Sequence, residues 1–139
     1  MASLQSFQKT IAHFYKEHAR DLPWRHDPTP YRVVVSEIML QQTQVSRVFK
    51  KFDPFIKRFP SFAALSKAPL SAVLSEWQGL GYNRRALNLH RLAKAVMTTH
   101  AGKLPQNYDD LLELPGIGPN TAGSILAFAF NVPLPFIET

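Results

Sequence analysis

The stretch from Leu114 to Gly123, Leu-Pro-Gly-Ile-Gly-Pro-Asn-Thr-Ala-Gly, constrains this chain more than any other. A helical run from Tyr108 to Glu113 must stop at Pro115, and a second must begin at Pro119, because proline cannot continue a helix but suits its first turn. Gly116 and Gly118 permit a positive φ and leave no side chain over the backbone amides. The expected element is a tight helix–hairpin–helix whose bare amides sit at a helix N-terminus, where an anion such as a phosphate is well received. The same residues also suit a plain glycine-rich helix connection with no ligand, because short glycine motifs are weak evidence alone.

Composition narrows the choice of partner. The chain has 139 residues, 45% of them hydrophobic, enough for one domain with a sizeable core. Its formal charge of +6 favours a polyanion. All 16 Lys and Arg residues lie at or before Lys103. The hairpin must therefore receive phosphate through amides and helix dipole, with basic side chains acting from other helices. There is no cysteine, which excludes disulfides, thiolate metal sites and cysteine-held clusters within these residues. The five histidines lack ligand spacing and read as surface or structural groups. No apolar run approaches the roughly 18 residues of a membrane span, and no signal peptide precedes the first helix, so a soluble, cytoplasmic, nucleoid-associated protein is expected.

Helical periodicity runs through the whole chain and strand alternation is almost absent, which gives an all-α fold. A first helix, Leu4 to His18, carries Leu4, Phe7, Ile11, Phe14 and Tyr15 on one stripe. A proline-punctuated connection from Asp21 to Pro28 follows. Thr29 is a good N-cap with Pro30 behind it, and the helix it starts runs to about Gln42 with Tyr31, Val34, Val35, Ile38 and Met39 on its apolar face. The next, Gln44 to Phe59, contains Pro54, which should kink or split it at a cost of roughly 3 kcal/mol. Shorter helices are expected over 61–66 and 69–78, then a long one from Tyr82 to His100 that stops at Gly102, and a last one from Pro119 to Asn131. Three parts are expected: residues 1–28 as a helix and linker belonging to a companion lobe, 29–131 as the main helical body, and 132–139 as the start of a further part. The apolar, turn-rich Val132 to Ile137 would lead into another helix, so the chain is expected to be an N-terminal fragment.

Two groups of residues carry candidate chemistry. Glu37 sits at the edge of an apolar helix face, among Val34, Ile38 and Met39. Desolvation there would raise its pKa toward the range useful to a general acid; the competing reading is a carboxylate leaning to solvent or paired with an arginine. Gln41, Gln42, Thr43 and Gln44 form an amide-rich run. Amides can bond base edges or fill a gap in a base stack, and the competing reading is an ordinary polar helix end.

Three motifs in order, Ser36-Glu-Ile-Met-Leu-Gln-Gln-Thr-Gln-Val45, Gly79-Leu-Gly-Tyr-Asn-Arg-Arg-Ala-Leu-Asn-Leu-His90 and the hairpin decamer, resemble the helix–hairpin–helix base-excision DNA glycosylases, and within them the A/G-specific adenine glycosylase (MutY-like) branch. The resemblance runs from about Arg20 to Phe136 and implies a six-helix barrel, with the companion lobe reduced to its first helix. It implies a partner, double-stranded DNA with a mispaired base, and a reaction, cleavage of the N-glycosidic bond of adenine opposite guanine or 8-oxoguanine. A base inside a duplex is unreachable, so it must be extruded and its vacancy filled. By resemblance Gln42, with Gln41 and Thr43 beside it, is the wedge, and Tyr82 stacks beside the opposite base, with Leu80 nearby as a further DNA-binding residue. Glu37 protonates the leaving adenine, and a second carboxylate steadies the oxocarbenium-like sugar. Arg20, Trp24, Arg25 and Leu40 line the adenine pocket, with Trp24 stacking on the base. The amides from Gly116, Ile117 and Gly118 to Asn120 and Thr121 grip a phosphate. The carbonyls of Leu112, Leu114 and Ile117 would hold a monovalent cation. No other metal or cofactor is implied within these residues, because the family's iron–sulfur cluster and its 8-oxoguanine-reading module would lie beyond Thr139.

The departures from the pattern carry their own expectations. Strand-cleaving members hold a Schiff-base lysine at the position of Asn120, so no β-lyase activity is expected here. Glu138 stands where the family has aspartate; its extra methylene matters, since a shift of about an ångström can change a rate about a hundredfold. With the rest of the companion lobe missing, Phe7, Ile11 and Phe14 would leave an apolar face open to self-association. Two alternatives to an adenine glycosylase stand: a thymine or uracil mismatch glycosylase of the same superfamily, and a catalytically inactive DNA-binding remnant.

Overall fold

A computed structural model describes residues 22–132. The expected helix over 4–18, with Phe7, Ile11 and Phe14, and the site residues Arg20 and Glu138 lie outside them. Seven α-helices and one 3₁₀ turn, Pro23–Arg25, make up the ordered elements, with no strand among the described residues. The helices are α1 (Pro30–Leu40), α2 (Val45–Arg58), α3 (Phe62–Lys67), α4 (Leu70–Trp77), α5 (Arg84–Thr99), α6 (Tyr108–Leu112) and α7 (Pro119–Phe130).

Helix α1 is the centre of the fold, with α2, α5, α7 and the 3₁₀ turn packed around it. Its start is set as the sequence implies: the Thr29 side chain accepts from the Arg32 amide at 3.3 Å, and Pro30 fills the first helical position. The expected single apolar stripe is too narrow a description, because Val33 and Ser36 are buried along with Tyr31, Val34, Val35, Ile38 and Met39. A helix covered on nearly all sides is apolar nearly all round. Ser36 is tolerated there because its hydroxyl donates to the Val33 carbonyl at 2.9 Å.

Pro54 does not split α2, which runs unbroken from Val45 to Arg58. Pro54 and Lys50, whose carbonyl it cannot bond, both lie on the exposed side of the helix, where water can meet that carbonyl. Helix α5 begins at Arg84 rather than at Tyr82, because Tyr82 adopts a left-handed conformation, φ 50°, ahead of the helix.

The connection before α1 is part of the core and not an outlying linker. Leu22 and Trp24 are buried in the same cluster as Val34, Phe52 and Leu126, so the packed body begins no later than Leu22, ahead of the expected boundary at residue 29. Trp24 stacks edge-on to Phe52 with ring centroids 5.9 Å apart, and the Arg32 guanidinium ties the turn down through the Pro23 carbonyl at 3.0 Å. Trp24→Ala is expected to destabilise the fold by about 3–5 kcal/mol, a large cavity cost, read from denaturant unfolding.

Candidate active site

Glu37 projects from α1 toward the first turns of α7. It lines a small open cavity of ≈ 170 Å³ with Leu40, Gln41, Asn120, Thr121 and Ser124. Burial raises its carboxyl above the ordinary value; the positive charge of Arg25 and a hydrogen bond with Ser124 pull the other way and are the smaller effects. Both sequence readings of Glu37 are thus partly met: the carboxyl is desolvated, and an arginine is near enough to be felt. Arg25 in turn lies over the Phe128 ring of α7, 3.8 Å from its centroid.

The hairpin forms as its prolines and glycines dictate. Asn107 caps α6 by accepting from the Asp110 amide at 2.9 Å, and the Ile117 amide closes the turn on the Leu114 carbonyl at 3.2 Å. Only Gly116 uses the left-handed region, φ 80°; Gly118 is extended and caps α7 with no side chain. A Cβ at Gly118 would meet nothing within 4 Å, so the amides at the start of α7 face open space. Ile117 is buried, and its amide is already taken by the Leu114 carbonyl.

Gln41 ties α1 to the hairpin. Its side-chain amide donates to the Thr121 hydroxyl at 2.9 Å and to the Gly116 carbonyl at 3.3 Å. Its expected contact with DNA therefore gives way to a fastening role, whereas Gln42 is exposed in a left-handed turn, φ 56°. Tyr82, left-handed as well, is 64% exposed, the most open of the large hydrophobic side chains among the described residues. Thr43 is half-buried, and its hydroxyl accepts from Arg85 at 2.7 Å.

Two expected site residues are placed elsewhere. Leu80 is 2% exposed, so its side chain belongs to the core and only its backbone is left beside Tyr82 in the loop. Trp24 is likewise 2% exposed and packed on Phe52, so it cannot lie against an incoming base without leaving the core. Leu40 and Asn120 do line the cavity with Glu37.

Ser124 and Arg85 were not singled out in the sequence. Ser124 stands one helical turn after Asn120, on the face of α7 that looks at Glu37. Arg85 falls on the spacing of Leu89, Leu92 and Val96, a charged residue in an otherwise apolar stripe. A larger apolar cavity of ≈ 520 Å³, lined by Tyr31, Phe62, Met97, Leu104 and Phe130, contains neither Glu37 nor any hairpin residue. Among the described residues no group of three His, Cys, Asp or Glu side chains could hold a metal ion, and no helix is long and apolar enough to cross a membrane.

An all-helical body with a two-glycine hairpin facing a desolvated carboxyl defines a helix–hairpin–helix domain of the base-excision type. Residues 35–137 match the family model described as HhH-GPD superfamily base excision DNA repair protein, and the chain belongs to that superfamily. It is 46% identical over 127 residues to an adenine DNA glycosylase of Buchnera aphidicola subsp. Baizongia pistaciae, covering 91% of this chain and 36% of the relative. It is 40% identical over 127 residues to an adenine DNA glycosylase of Mycolicibacterium smegmatis, covering 91% of this chain and 43% of the relative. A thymine/uracil-DNA glycosylase of Methanothermobacter thermautotrophicus is 34% identical over 126 residues, covering 90% of this chain and 57% of that protein. Among solved structures, a thermostable thymine-DNA glycosylase superposes with a TM-score of 0.76 at 34% identity, over 91% of this chain and 59% of that one. A complex of endonuclease III with DNA shares the fold, with a TM-score of 0.73 at 22% identity, over 96% of this chain and 63% of that one. The chain thus spans well under half the length of the two adenine DNA glycosylases.

Proposed function

We propose that this chain is the base-extruding part of a monofunctional DNA N-glycosylase acting in base excision repair on adenine mispaired with guanine or 8-oxoguanine. The observation that carries the reading is the placement of Glu37 in a cavity shared with Asn120 and Thr121 of the hairpin helix, where burial pushes its carboxyl above the ordinary value. A carboxylic acid that keeps its proton can hand it to a ring nitrogen of adenine. The C1′–N bond then breaks with its electron pair leaving on a neutral base, and water adds at C1′ and gives up a proton to the carboxylate left on Glu37, forming the abasic sugar. The hairpin amides grip a backbone phosphate, Gln42 fills the vacated stack and Tyr82 lies beside the opposite base. Arg25 and Leu40 bound the base pocket; Arg20 and Glu138 belong to the same proposal as pocket residue and second carboxylate. Strand cleavage is not part of it: Asn120 has no amine for a Schiff base, and the last lysine of the chain is Lys103. The carbonyls of Leu112, Leu114 and Ile117 are a donor set suited to a monovalent cation, although Leu114 already accepts from the Ile117 amide and keeps one lone pair for it.

A thymine or uracil mismatch glycosylase is the second reading, favoured by the 34% identity to the thymine/uracil-DNA glycosylase. Incubation with duplexes carrying A opposite 8-oxoguanine, A opposite G, T opposite G and U opposite G, followed by alkali, separates the two. Strand breaks at adenine are the expected result. Breaks at T or U favour the second reading, and salt-sensitive duplex binding without breaks favours a binding remnant.

A further inference from the structure

We propose that Arg85 is a positioning residue that locks the two duplex-entering loops, 41–43 and 80–82, into one rigid pair. The inference rests on the reading above, in which Gln42 and Tyr82 enter the duplex. It goes further by assigning their spacing to the Arg85 guanidinium, assisted by the Thr43 hydroxyl, which accepts from it and donates to the Leu80 carbonyl at 3.3 Å.

Arg85 is 8% exposed, at the start of α5. Its Nη1 donates to the carbonyls of Ile38 at 2.9 Å and Met39 at 2.8 Å, where α1 ends, and to that of Gln41. Its Nη2 donates to the carbonyls of Leu80 at 3.1 Å and Gly81 at 3.1 Å, and to the Thr43 hydroxyl at 2.7 Å. Capping the negative end of α1 would need only the first of these sets. The second set belongs to another loop, remote in sequence, and the Trp77 indole reinforces it by donating to the same Gly81 carbonyl at 3.1 Å.

The bonded carbonyls are placed tellingly. Gln42 and Tyr82 are both left-handed non-glycine residues, φ 56° and 50°. The carbonyls of Gln41 and Gly81 belong to the peptide units immediately before them. Arg85 thus fixes the peptide leading into each strained residue, and strain of this kind persists only where surrounding bonds over-determine it. A planar fork with several fixed donors suits the arrangement, and a lysine ammonium, a single point with rotating donors, does not reproduce it. Insertion of Gln42 and placement of Tyr82 then occur as one event rather than two.

The test uses Arg85→Lys, Arg85→Met and the milder Thr43→Val, which removes one acceptor of Arg85 together with the hydroxyl's own bonds to the Gln41 and Leu80 carbonyls. A duplex with 2-aminopurine opposite G reports extrusion by its fluorescence on binding, and a duplex with a tetrahydrofuran abasic analogue opposite G reports affinity where nothing needs extruding. Both Arg85 variants are expected to lose extrusion by about a hundredfold, the scale of an ångström of misplacement, with affinity for the tetrahydrofuran duplex within about threefold of the parent chain. Thr43→Val should show the same selectivity at smaller amplitude, and it carries the test if the Arg85 variants do not fold. Equal losses on both duplexes, or full extrusion by Arg85→Lys, would overturn the inference while leaving the wedge reading intact. No extrusion by the parent chain would overturn both.

Discussion

Glu37→Gln should reduce adenine release by about 10²–10⁴-fold, the range a positioned general acid supplies, while leaving affinity for mispaired duplex nearly unchanged. Glutamine keeps the volume and one acceptor but has no proton of suitable acidity to give. The pH dependence follows from the direction of the shift. Burial holds the Glu37 proton to a higher pH than in an ordinary carboxyl, so release should be fastest on the acid side and fall as pH rises through the raised value. Stability supplies a second, independent reading. Between the ordinary and the raised value the folded state binds more protons at this group than the unfolded state does, so its contribution to stability falls as pH rises through that window. Above the window the Gln variant should melt at a higher temperature than the parent chain, and below it the two should converge. An enzyme that loses activity and gains stability by the same substitution identifies a group held under electrostatic strain for its chemistry.

The second large effect is expected at the hairpin. Gly116→Ala places a Cβ at φ 80° and 3.1 Å from the Asn88 Cβ. The left-handed conformation alone costs a non-glycine residue about 1–2 kcal/mol. Relief requires the 116 peptide to turn, which would also release the Gln41 amide from the Gly116 carbonyl. The amides beyond it then lose their common aim. Removing two charge-assisted hydrogen bonds to a phosphate, at about 1.5–3 kcal/mol each, lowers affinity by a factor of a hundred or more. The loss should be equal for matched and mispaired duplexes, because phosphate carries no sequence information. Gly118→Ala is the control: its φ is −96° and its Cβ would meet no atom, so the melting temperature should hold. Duplex titrations and thermal unfolding of both variants check this, and a Gly116→Ala chain that binds as tightly as its parent would contradict it.

What could be read from the sequence was what depends on neighbours in the chain. Thr29 and Pro30 start α1, and the prolines and glycines of the hairpin fix its turns, because caps and turns are decided within a few residues. Glu37 was legible because an acidic residue beside Val34 and Ile38 conflicts with its surroundings. Trp24 and Leu80 were misread because each sits among prolines or glycines, which suggests a surface loop, while the deciding fact is packing against the distant Phe52 or the core. Arg85 carries no sign of its role in its own sequence neighbourhood, since its meaning comes from carbonyls on two other segments. Pro54 was given too much weight because its cost depends on whether the orphaned carbonyl meets water, a question of which side of α2 faces out.

The most direct test of the central claim is the titration of the Glu37 side-chain carboxyl, followed by ¹³C NMR in the chain free of DNA. A midpoint clearly above the ordinary value for a glutamate carboxyl, lowered when Leu40 is replaced by a smaller polar residue that admits water, is the predicted result. A midpoint at or below the ordinary value would mean that the carboxyl is ionised when it meets the base, and acid catalysis by Glu37 would be wrong.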